Sequence, residues 1–427
     1  MNRSVTAVLF GTFTLRFSTG LTGGLLVYYL ADLPAFGGIS VDSTTVGILT
    51  AAYYIAELAL SPLFGYLSDR FGAHRIMQVG PIFGLVAVFV TAFVVDLWIL
   101  GGTRLLEGGA AAASIPSILG YIALATSGDQ SVRGRAVARF EAATLLGIGL
   151  GIVGAGPIFD AIGRGGFIVN GAIYILSFAI YRWGVVELHH EATDEERQAG
   201  TQHERPRALD LSRYRAILSS PRVWLLAPTW IALNAVLGSW TTQSVFQLVR
   251  EPPPRFENQM LMQGFSPTGV SIGFAAIGII FMAGLWYWGN RFRDLRRTSI
   301  IGIGVIGALF MLAAIFGLNH AAELGLPVQL LLGAIAAAGL FVMAGATPAA
   351  VGLLADISES HPADRGAIMG LYSVFLGIGQ ILGALLSGPA GDWAGIDGLV
   401  GSSALLIVVA MLPVQRLRAS EHLVGTR

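Results

Sequence analysis

The stretch GYLSDRFGAHR, residues 65–75, interrupts two long apolar runs with an acid, two arginines and a histidine. Such an insertion stands out, because only 12% of the residues are charged and 54% are hydrophobic. Three explanations are open from its residues alone. It is a glycine loop that binds a ligand, a plain connector between helices, or a working part of the protein.

Composition favours a membrane protein. A soluble domain is about a quarter charged, whereas this chain has half that fraction and a mean hydropathy of +0.69. Its 427 residues can supply about twelve spans of roughly 20 residues each. The chain contains no cysteine, which excludes disulfides and thiolate metal sites, and its zero net charge gives no indication of nucleic acid binding.

Apolar runs bounded by polar turns divide the chain into two sets of six. We predict an all-α integral membrane protein with twelve transmembrane helices in two pseudo-symmetric six-helix bundles, residues 1–186 and 222–427. Residues 187–221 form a charged segment that is unsuited to lipid and is predicted to be a cytoplasmic linker. The predicted spans are 5–30, 45–67, 76–95, 98–126, 136–158, 167–186, 222–249, 268–288, 298–318, 326–355, 366–388 and 397–415.

Arginine placement predicts the orientation. With both termini in the cytoplasm, only Arg164, Arg250 and Arg255 fall outside, and only Arg16 and Arg104 fall within spans away from the cytoplasmic helix ends. This distribution follows the positive-inside rule. The first span has no small-residue cleavage site, so we expect a retained helix rather than a signal peptide. Residues 65–75 are then cytoplasmic.

The two predicted bundles resemble each other in sequence. At a constant offset of 232, the residues Pro116, Gly120, Ala123, Arg133 and Gly134 match Pro348, Gly352, Ala355, Arg365 and Gly366. The pair Gly156-Pro157 recurs as Gly388-Pro389. Duplicated six-helix halves are typical of secondary transporters, which bind their substrate between the repeats.

With these observations the chain resembles the major facilitator superfamily over essentially its whole length. The loop between the second and third helices of that family has a pattern that is filled here by Gly65, Leu67, Ser68, Asp69, Arg70, Gly72 and Arg75. The resemblance implies a conformational latch between cytoplasmic helix ends, rather than a solvated connector. The second-half counterpart contains Asn290 and Arg291, with an amide at the acidic position.

Two further motifs are similar to those of proton-coupled drug antiporters. RLLEGGAAAA, from Arg104, resembles their fourth helix, and its partner position in the second half is Ala336. GIGLGIVGAGPIFD, residues 147–160, resembles their glycine-rich fifth helix that ends in Gly-Pro, although its glycine spacing differs. We therefore assign a helix-packing or gating role to Gly156, Pro157, Gly388 and Pro389.

Charges inside the predicted spans are candidate substrate or coupling residues, because a charge in the bilayer is costly. Arg16 and Glu57 each lie eleven residues into a span, about 17 Å deep. They form either a structural pair, or a cation or proton site at Glu57 and an anion anchor at Arg16. Arg104 and Glu107 share a helical face and form a local ion pair or a coupling site. Glu141 pairs with an arginine or carries a proton.

The seventh span supplies polar candidates from the second half. An offset of 218 aligns Arg16 with Asn234, and Trp240 and Gln243 follow nearer the outer end. These three residues line a substrate pocket or pack against other helices.

Two other sequence patterns suggest binding sites, but the segments in which they lie argue against those sites. The glycines of GIGLGIVG lie inside a span with no preceding strand, which excludes a dinucleotide loop. His189, His190 and Glu191 lie in the charged linker, where a solvated run is favoured over a metal site.

We expect a monomeric secondary transporter in the cell membrane that moves a small organic molecule by alternating access. Proton-coupled efflux is favoured, driven by an ion gradient without a cofactor, and the partners are the substrate, the lipid bilayer and H⁺. The alternatives are an organic-anion carrier anchored by Arg16, and a receptor that keeps the fold without transporting. An enzyme is not expected, since no nucleophile and base constellation fits its context, and two similar halves favour a carrier over a channel.

Overall fold

The computed structural model describes residues 3–126, 130–188, 221–293, 295–359 and 365–424, and these residues are almost entirely helical. Most of the predicted linker, including His189, His190 and Glu191, lies outside the described residues.

Helices of spanning length dominate the first half of the chain. The 3-10 turn Leu33–Phe36 follows the first of them and ends at Gly37, whose φ of 87° is left-handed. Asp96 caps the fifth helix by accepting hydrogen bonds from the backbone N–H groups of Trp98 and Ile99. The helices are α1 (Arg3–Ala31), α2 (Ser43–Phe71), α3 (Ala73–Ile76), α4 (Val79–Thr91), α5 (Leu97–Ala125), α6 (Gln130–Ile162) and α7 (Gly165–Gly184).

The second half repeats this arrangement with more interruptions. A π-helical turn, Trp240–Ser244, separates the first two of its helices, and the last helix is kinked at Ala394 and Gly395. Its helices are α8 (Pro221–Ser239), α9 (Val245–Val249), α10 (Pro267–Gly289), α11 (Arg297–Asn319), α12 (Leu326–Met343), α13 (Ala346–Glu359) and α14 (Arg365–Val424).

Length and hydropathy identify membrane-spanning segments directly. Nine segments of the described chain are long and apolar enough to cross a bilayer. One of them, Ser373–Arg416, contains the kink at Ala394 and Gly395 and so comprises two helices. The predicted all-α integral membrane fold is confirmed, and the helix order is consistent with twelve spans.

Spatial contacts group the helices into two compact units. The first unit holds α1 up to Leu26 and the chain from Ala52 through α7. The second unit holds Val27–Ala51 together with α8 to α14. Helix α2 therefore begins in the second unit and continues in the first. The division into bundles of 1–186 and 222–427 stays a prediction about which segments move together.

A glycine-mediated helix contact organises the first unit. A Cβ atom on Gly147 of α6 would lie 2.9 Å from the Cβ of Arg16, and one on Gly151 would lie 2.6 Å from the backbone nitrogen of Leu21. Only glycine permits this separation of α1 and α6, because real Cβ atoms do not approach so closely. The contact fixes Arg16 against α6.

The second unit contains the same contact at the equivalent positions. A Cβ on Gly379 of α14 would lie 2.6 Å from the Cβ of Asn234 on α8, and one on Gly383 would lie 2.9 Å from the carbonyl carbon of Ala235. Gly379 and Gly383 are 232 residues after Gly147 and Gly151. The shared contact supports the sequence alignment that makes Asn234 the counterpart of Arg16.

Candidate site in the first helical unit

A buried ion pair lies on α5. The Arg104 Nη1 atom donates to the Glu107 Oε2 atom, as the spacing of three residues predicts, and the two residues are only 7% and 5% exposed. The guanidinium carbon of Arg104 lies 4.9 Å from the ring centre of Tyr53 on α2, which is a cation–π geometry. The pair is thus held between two helices and away from water.

Glu57 lies beside this pair. The small residue after Glu107, Gly108, lets α2 and α5 approach so closely that a Cβ there would lie 3.0 Å from the Glu57 backbone nitrogen. The Glu57 side chain is half-buried. The alanine and glycine run of α5 therefore brings the α2 backbone at Glu57 close to the helix that carries Arg104 and Glu107.

Arg16 is the second buried cation of this unit, and it is only 6% exposed. Its charge acts on the carboxylates of Glu57 and Glu141. Within the described part of the chain, however, neither acid lies within the 4.0 Å of a direct ion pair with it. The direct Arg16–Glu57 pair that the sequence leaves open is not formed in this conformation. Glu141, on α6, is exposed.

We define the charged cluster as these two cations and three acids of the first unit: Arg16, Glu57, Arg104, Glu107 and Glu141. Four helices, α1, α2, α5 and α6, contribute to it. A charge inside a membrane segment is expensive unless a partner or a polar cavity compensates for it. Three carboxylates beside two guanidinium groups leave one acid in excess, which is a suitable arrangement for taking up and releasing a proton.

The predicted polar candidates of the seventh span all make contacts inside the second unit. Asn234 donates to the Trp230 carbonyl oxygen at 2.8 Å, and the Trp240 Nε1 atom donates to the Ser403 hydroxyl at 2.9 Å. Gln243 donates to the Ser43 carbonyl oxygen at 2.7 Å. These bonds are packing contacts between helices or within α8, and a role in substrate binding stays a prediction.

The segment of residues 65–75 forms the end of α2, a turn and α3. Gly72 has a φ of 96°, and a Cβ there would lie 2.9 Å from the Glu187 Oε1 atom, so the turn requires glycine. Arg75 lies 3.5 Å from the same Glu187 oxygen, which ties α3 to the residues after α7. Asp69 is exposed and forms no ion pair with a described residue.

The two predicted cytoplasmic motifs each contain the same type of contact, between an arginine and a tyrosine on one helix. The Arg70 Nη1 atom lies 3.4 Å from the Tyr66 hydroxyl, and the Arg291 Nη2 atom donates to the Tyr287 hydroxyl at 3.1 Å. In both cases the tyrosine is four residues before the arginine. Asn290 donates to a carbonyl oxygen of its own helix, that of Trp286, at 2.9 Å. The latch role of these residues, and of Gly65 within α2, stays a prediction.

The duplicated Gly-Pro pairs lie inside helices. Pro157 is within α6 and Pro389 is within α14. A Cβ on Gly388 would lie 2.8 Å from the Thr44 Cα atom, so this glycine permits close contact with the start of α2. The predicted packing or gating role of Gly156, Pro157, Gly388 and Pro389 stays a prediction.

Sequence reasoning missed Tyr53 and Asn170. Tyr53 covers Arg104, and Asn170 of α7 donates to the Ser18 carbonyl oxygen at 3.0 Å and to the Thr22 hydroxyl at 2.7 Å. A polar residue that is fully buried in a span indicates such a contact, but the partner helix depends on the tertiary fold.

Spanning helices in two units with the same internal helix contact, and a buried ion pair in the first unit, are typical of a membrane transporter. The chain belongs to the Major Facilitator Superfamily, whose family model matches residues 8–326. The predicted resemblance is confirmed. The protein is accordingly a multi-pass membrane protein that transports small molecules.

Relatives with known roles support this assignment. The chain is 23% identical to the quinolone resistance protein NorA of Staphylococcus aureus strain MSSA476 over 421 residues, 97% of each chain. It is 30% identical to the multidrug resistance protein MdtG of Proteus mirabilis strain HI4320 over 116 residues, which is 27% of this chain and 28% of that one.

Solved structures have the same fold. A crystal structure of a variant of the nucleoside transporter NupG superposes with a TM-score of 0.72 at 16% identity, covering 98% of this chain and 99% of the other. A bacterial homologue of the human lysosomal transporter Spinster, inward-facing and unoccupied, gives a TM-score of 0.70 at 14% identity, covering 98% and 97%.

Proposed function

We propose that this transporter exports a small organic molecule in exchange for protons. The observation that carries the proposal is the charged cluster, in which Arg104 and Glu107 form a buried ion pair and Arg16 acts on Glu57 and Glu141 without a direct pair. The names of NorA and MdtG add support, since both are resistance proteins. The cell membrane is the expected location, with both termini in the cytoplasm and a monomer as the working form.

Charge balance explains how such a cluster couples protons to a substrate. A cationic or polar substrate that enters beside Glu57 competes with a proton for the same carboxylate, because two positive charges cannot share one acid in a medium of low dielectric constant. Arg104 and Glu107 neutralise each other, so Glu57 and Glu141 are the carboxylates free to exchange. We assign the exchange to Glu57 and a supporting role to Glu141.

The experiment uses everted membrane vesicles that are energised by respiration, with an acridine dye that reports the acidic interior. We expect a quinolone to dissipate part of the pH gradient in vesicles that contain the protein. Glu57→Gln is expected to abolish that response, while Glu257→Gln, which changes an exposed acid in the loop between α9 and α10, is the matched control. An unchanged response in Glu57→Gln contradicts the proposed site.

A second candidate function follows from Arg16. It is a buried cation with no ion pair within 4.0 Å among the described residues, which is the state expected of an anchor for a carboxylate or phosphate group. Under this alternative the protein exchanges organic anions.

Thermal unfolding of the purified protein distinguishes the two candidates, because a ligand that binds only the folded state raises the unfolding temperature. Stabilisation by lipophilic cations that is lost in Glu57→Gln supports efflux. Stabilisation by organic anions that is lost in Arg16→Gln supports the anion carrier and contradicts the first proposal.

A further inference from the structure

Asp392 of α14 binds the beginning of α2, which is distant from it in sequence. Its Oδ1 atom accepts a hydrogen bond from the Ser43 backbone nitrogen at 2.8 Å, and its Oδ2 atom accepts from the Thr44 backbone nitrogen at 2.9 Å and the Thr44 hydroxyl at 2.6 Å. The first N–H groups of a helix have no partner within the helix, and the helix dipole favours an anion there. Asp392 therefore supplies both a cap and a countercharge.

Two arginines of the second unit hold Asp392 in place. The Arg250 Nη1 atom lies 4.0 Å from the Asp392 Oδ1 atom, and Arg255 donates to the Asp392 carbonyl oxygen. The Arg250 side chain is largely buried, which lowers the pKa of its guanidinium, and the Asp392 carboxylate partly opposes that shift. The carboxylate thus lies between a helix N-terminus and a cation, where its negative charge is favoured from two sides.

Other residues of the second unit also pack closely around this contact. Gln243 donates to the Ser43 carbonyl oxygen and Gln247 donates to the Ser43 hydroxyl, each at 2.7 Å. A Cβ on Gly391 would lie 3.2 Å from the Ser43 Cβ atom. Ser43 itself is fully buried. The start of α2 is therefore held by side-chain hydrogen bonds from Gln243 and Gln247 as well as by packing against Gly391.

The contact lies at one end of α2, a helix that continues from the second unit into the first. The single helix α2 runs from Ser43 to Phe71, and its residues up to Ala51 group with the second unit while those from Ala52 group with the first. The end of α2 at Ser43 is opposite to the predicted cytoplasmic motif of residues 65–75. Alternating access requires this end of α2 to move away from α14 when the outer side opens.

We propose that Asp392, with Ser43, Thr44 and Arg250, forms an outer latch that holds the transporter closed on its outer side and opens once in each cycle. The latch works by charge and geometry together. Opening leaves the N–H groups of Ser43 and Thr44 and the Arg250 guanidinium to be solvated by water, which the outer side supplies. This inference rests on alternating access but not on the identity of the substrate or of the coupling ion.

Cysteine labelling tests the latch without any substrate. The chain has no cysteine, so Ser43→Cys introduces a single reporter, and the hydrogen bond to Asp392 survives because it comes from the backbone of residue 43. We expect Asp392→Asn to raise the rate of labelling by a membrane-impermeant maleimide by at least about fivefold, since the amide loses the charge and turns one acceptor into a donor.

Asp42→Asn is the matched control. Asp42 caps the same helix locally, by accepting from the Thr45 backbone nitrogen at 2.7 Å, and asparagine caps a helix equally well. We expect its labelling rate to equal that of the reporter alone. Equal rates in Asp392→Asn and Asp42→Asn overturn the proposal. If Asp392→Asn fails to fold, Thr44→Val, which removes only the hydroxyl donor, must still raise the rate above the control.

A disulfide provides the converse test. Because the Cβ positions of residues 43 and 391 are close, Ser43→Cys with Gly391→Cys is expected to form a disulfide on oxidation. Oxidation should abolish transport and reduction should restore it, whereas each single variant should be insensitive to oxidant. Full transport by the cross-linked protein overturns the latch. Since labelling needs no substrate, failure of the quinolone assay alone contradicts only the proposed substrate.

Discussion

The two helical units share their packing and differ in their chemistry. In the first, Gly147 fits against Arg16, and in the second, Gly379 fits against Asn234 at the equivalent position. The same helix contact thus carries a cation in one unit and an amide in the other. The Asn234 amide nitrogen donates to a carbonyl oxygen of its own helix, whereas the Arg16 charge interacts electrostatically with the carboxylates of Glu57 and Glu141. The duplicated glycines set the scaffold, and residues without a counterpart supply the charge.

The buried ion pair on α5 is also specific to the first unit. Arg104 and Glu107 are compensated by each other, while the position of Arg104 in the second half is Ala336. We expect Arg104→Gln to lower the free energy of unfolding by about 3–5 kcal/mol, because it leaves a buried acid without its partner. Chemical denaturation in detergent measures this loss.

Two variants sharpen that prediction. The double variant with Glu107→Gln should recover much of the loss, and Arg133→Gln, at an exposed arginine of α6, should have little effect. A loss in the double variant as large as in Arg104→Gln would show that lost packing, not lost charge, is responsible.

The shared glycine contact can be broken in either unit. Gly151→Leu places a side chain against the backbone of α1 and should cost about 1–3 kcal/mol or prevent folding. Gly383→Leu should act alike against α8. Gly149→Leu is the control, since this glycine of α6 faces open space. If all three variants unfold at the same temperature, the contact is not a common structural element.

The turns at Gly72 and Asn290, both predicted to be cytoplasmic, differ in backbone conformation. Gly72 has a φ of 96° and Asn290 a φ of −76°. Gly72→Ala should therefore cost about 1–3 kcal/mol, because residues with a Cβ rarely adopt this backbone conformation. Asn290→Ala should change the unfolding free energy by less than about 0.5 kcal/mol. Thermal unfolding of both variants checks this, and equal losses would contradict a special role for the first turn.

Arg16→Gln makes the first unit resemble the second. We expect a loss of only about 1 kcal/mol, because no ion pair within 4.0 Å is broken, together with transport reduced at least about tenfold. Unfolding temperature and vesicle transport are measured on the same preparation. A stability loss equal to that of Arg104→Gln, recovered by Glu57→Gln, would instead identify a structural pair.

The smallest effect on stability is expected at Asp69, which is exposed. Asp69→Asn should change the unfolding free energy by less than about 0.5 kcal/mol and yet slow transport, if it serves as a latch. Asn290→Asp, which gives the second half the acidic residue that it lacks, is the comparison variant and should transport normally. Normal turnover in Asp69→Asn refutes the latch assignment.

Several details were beyond the sequence because they depend on distant partners. The predicted span 326–355 is interrupted at Ala344 and Gly345, and a Cβ on Gly345 would lie 2.6 Å from the Trp288 ring. The predicted seventh span contains a π-helical turn at Trp240–Ser244. Hydropathy reports the length of a span but not the neighbour that bends it.

The sequence by itself determined the membrane class, the approximate spans, the family and the charges within the spans, because burial in lipid constrains composition along every helix. It also aligned Arg16 with Asn234. Only the tertiary structure decided that Tyr53 covers the Arg104–Glu107 pair, that Arg16 has no direct ion pair among the described residues, and that Asp392 caps α2. These partners lie on different helices, from tens to hundreds of residues apart, and the local sequence pattern carries no information on which helices meet.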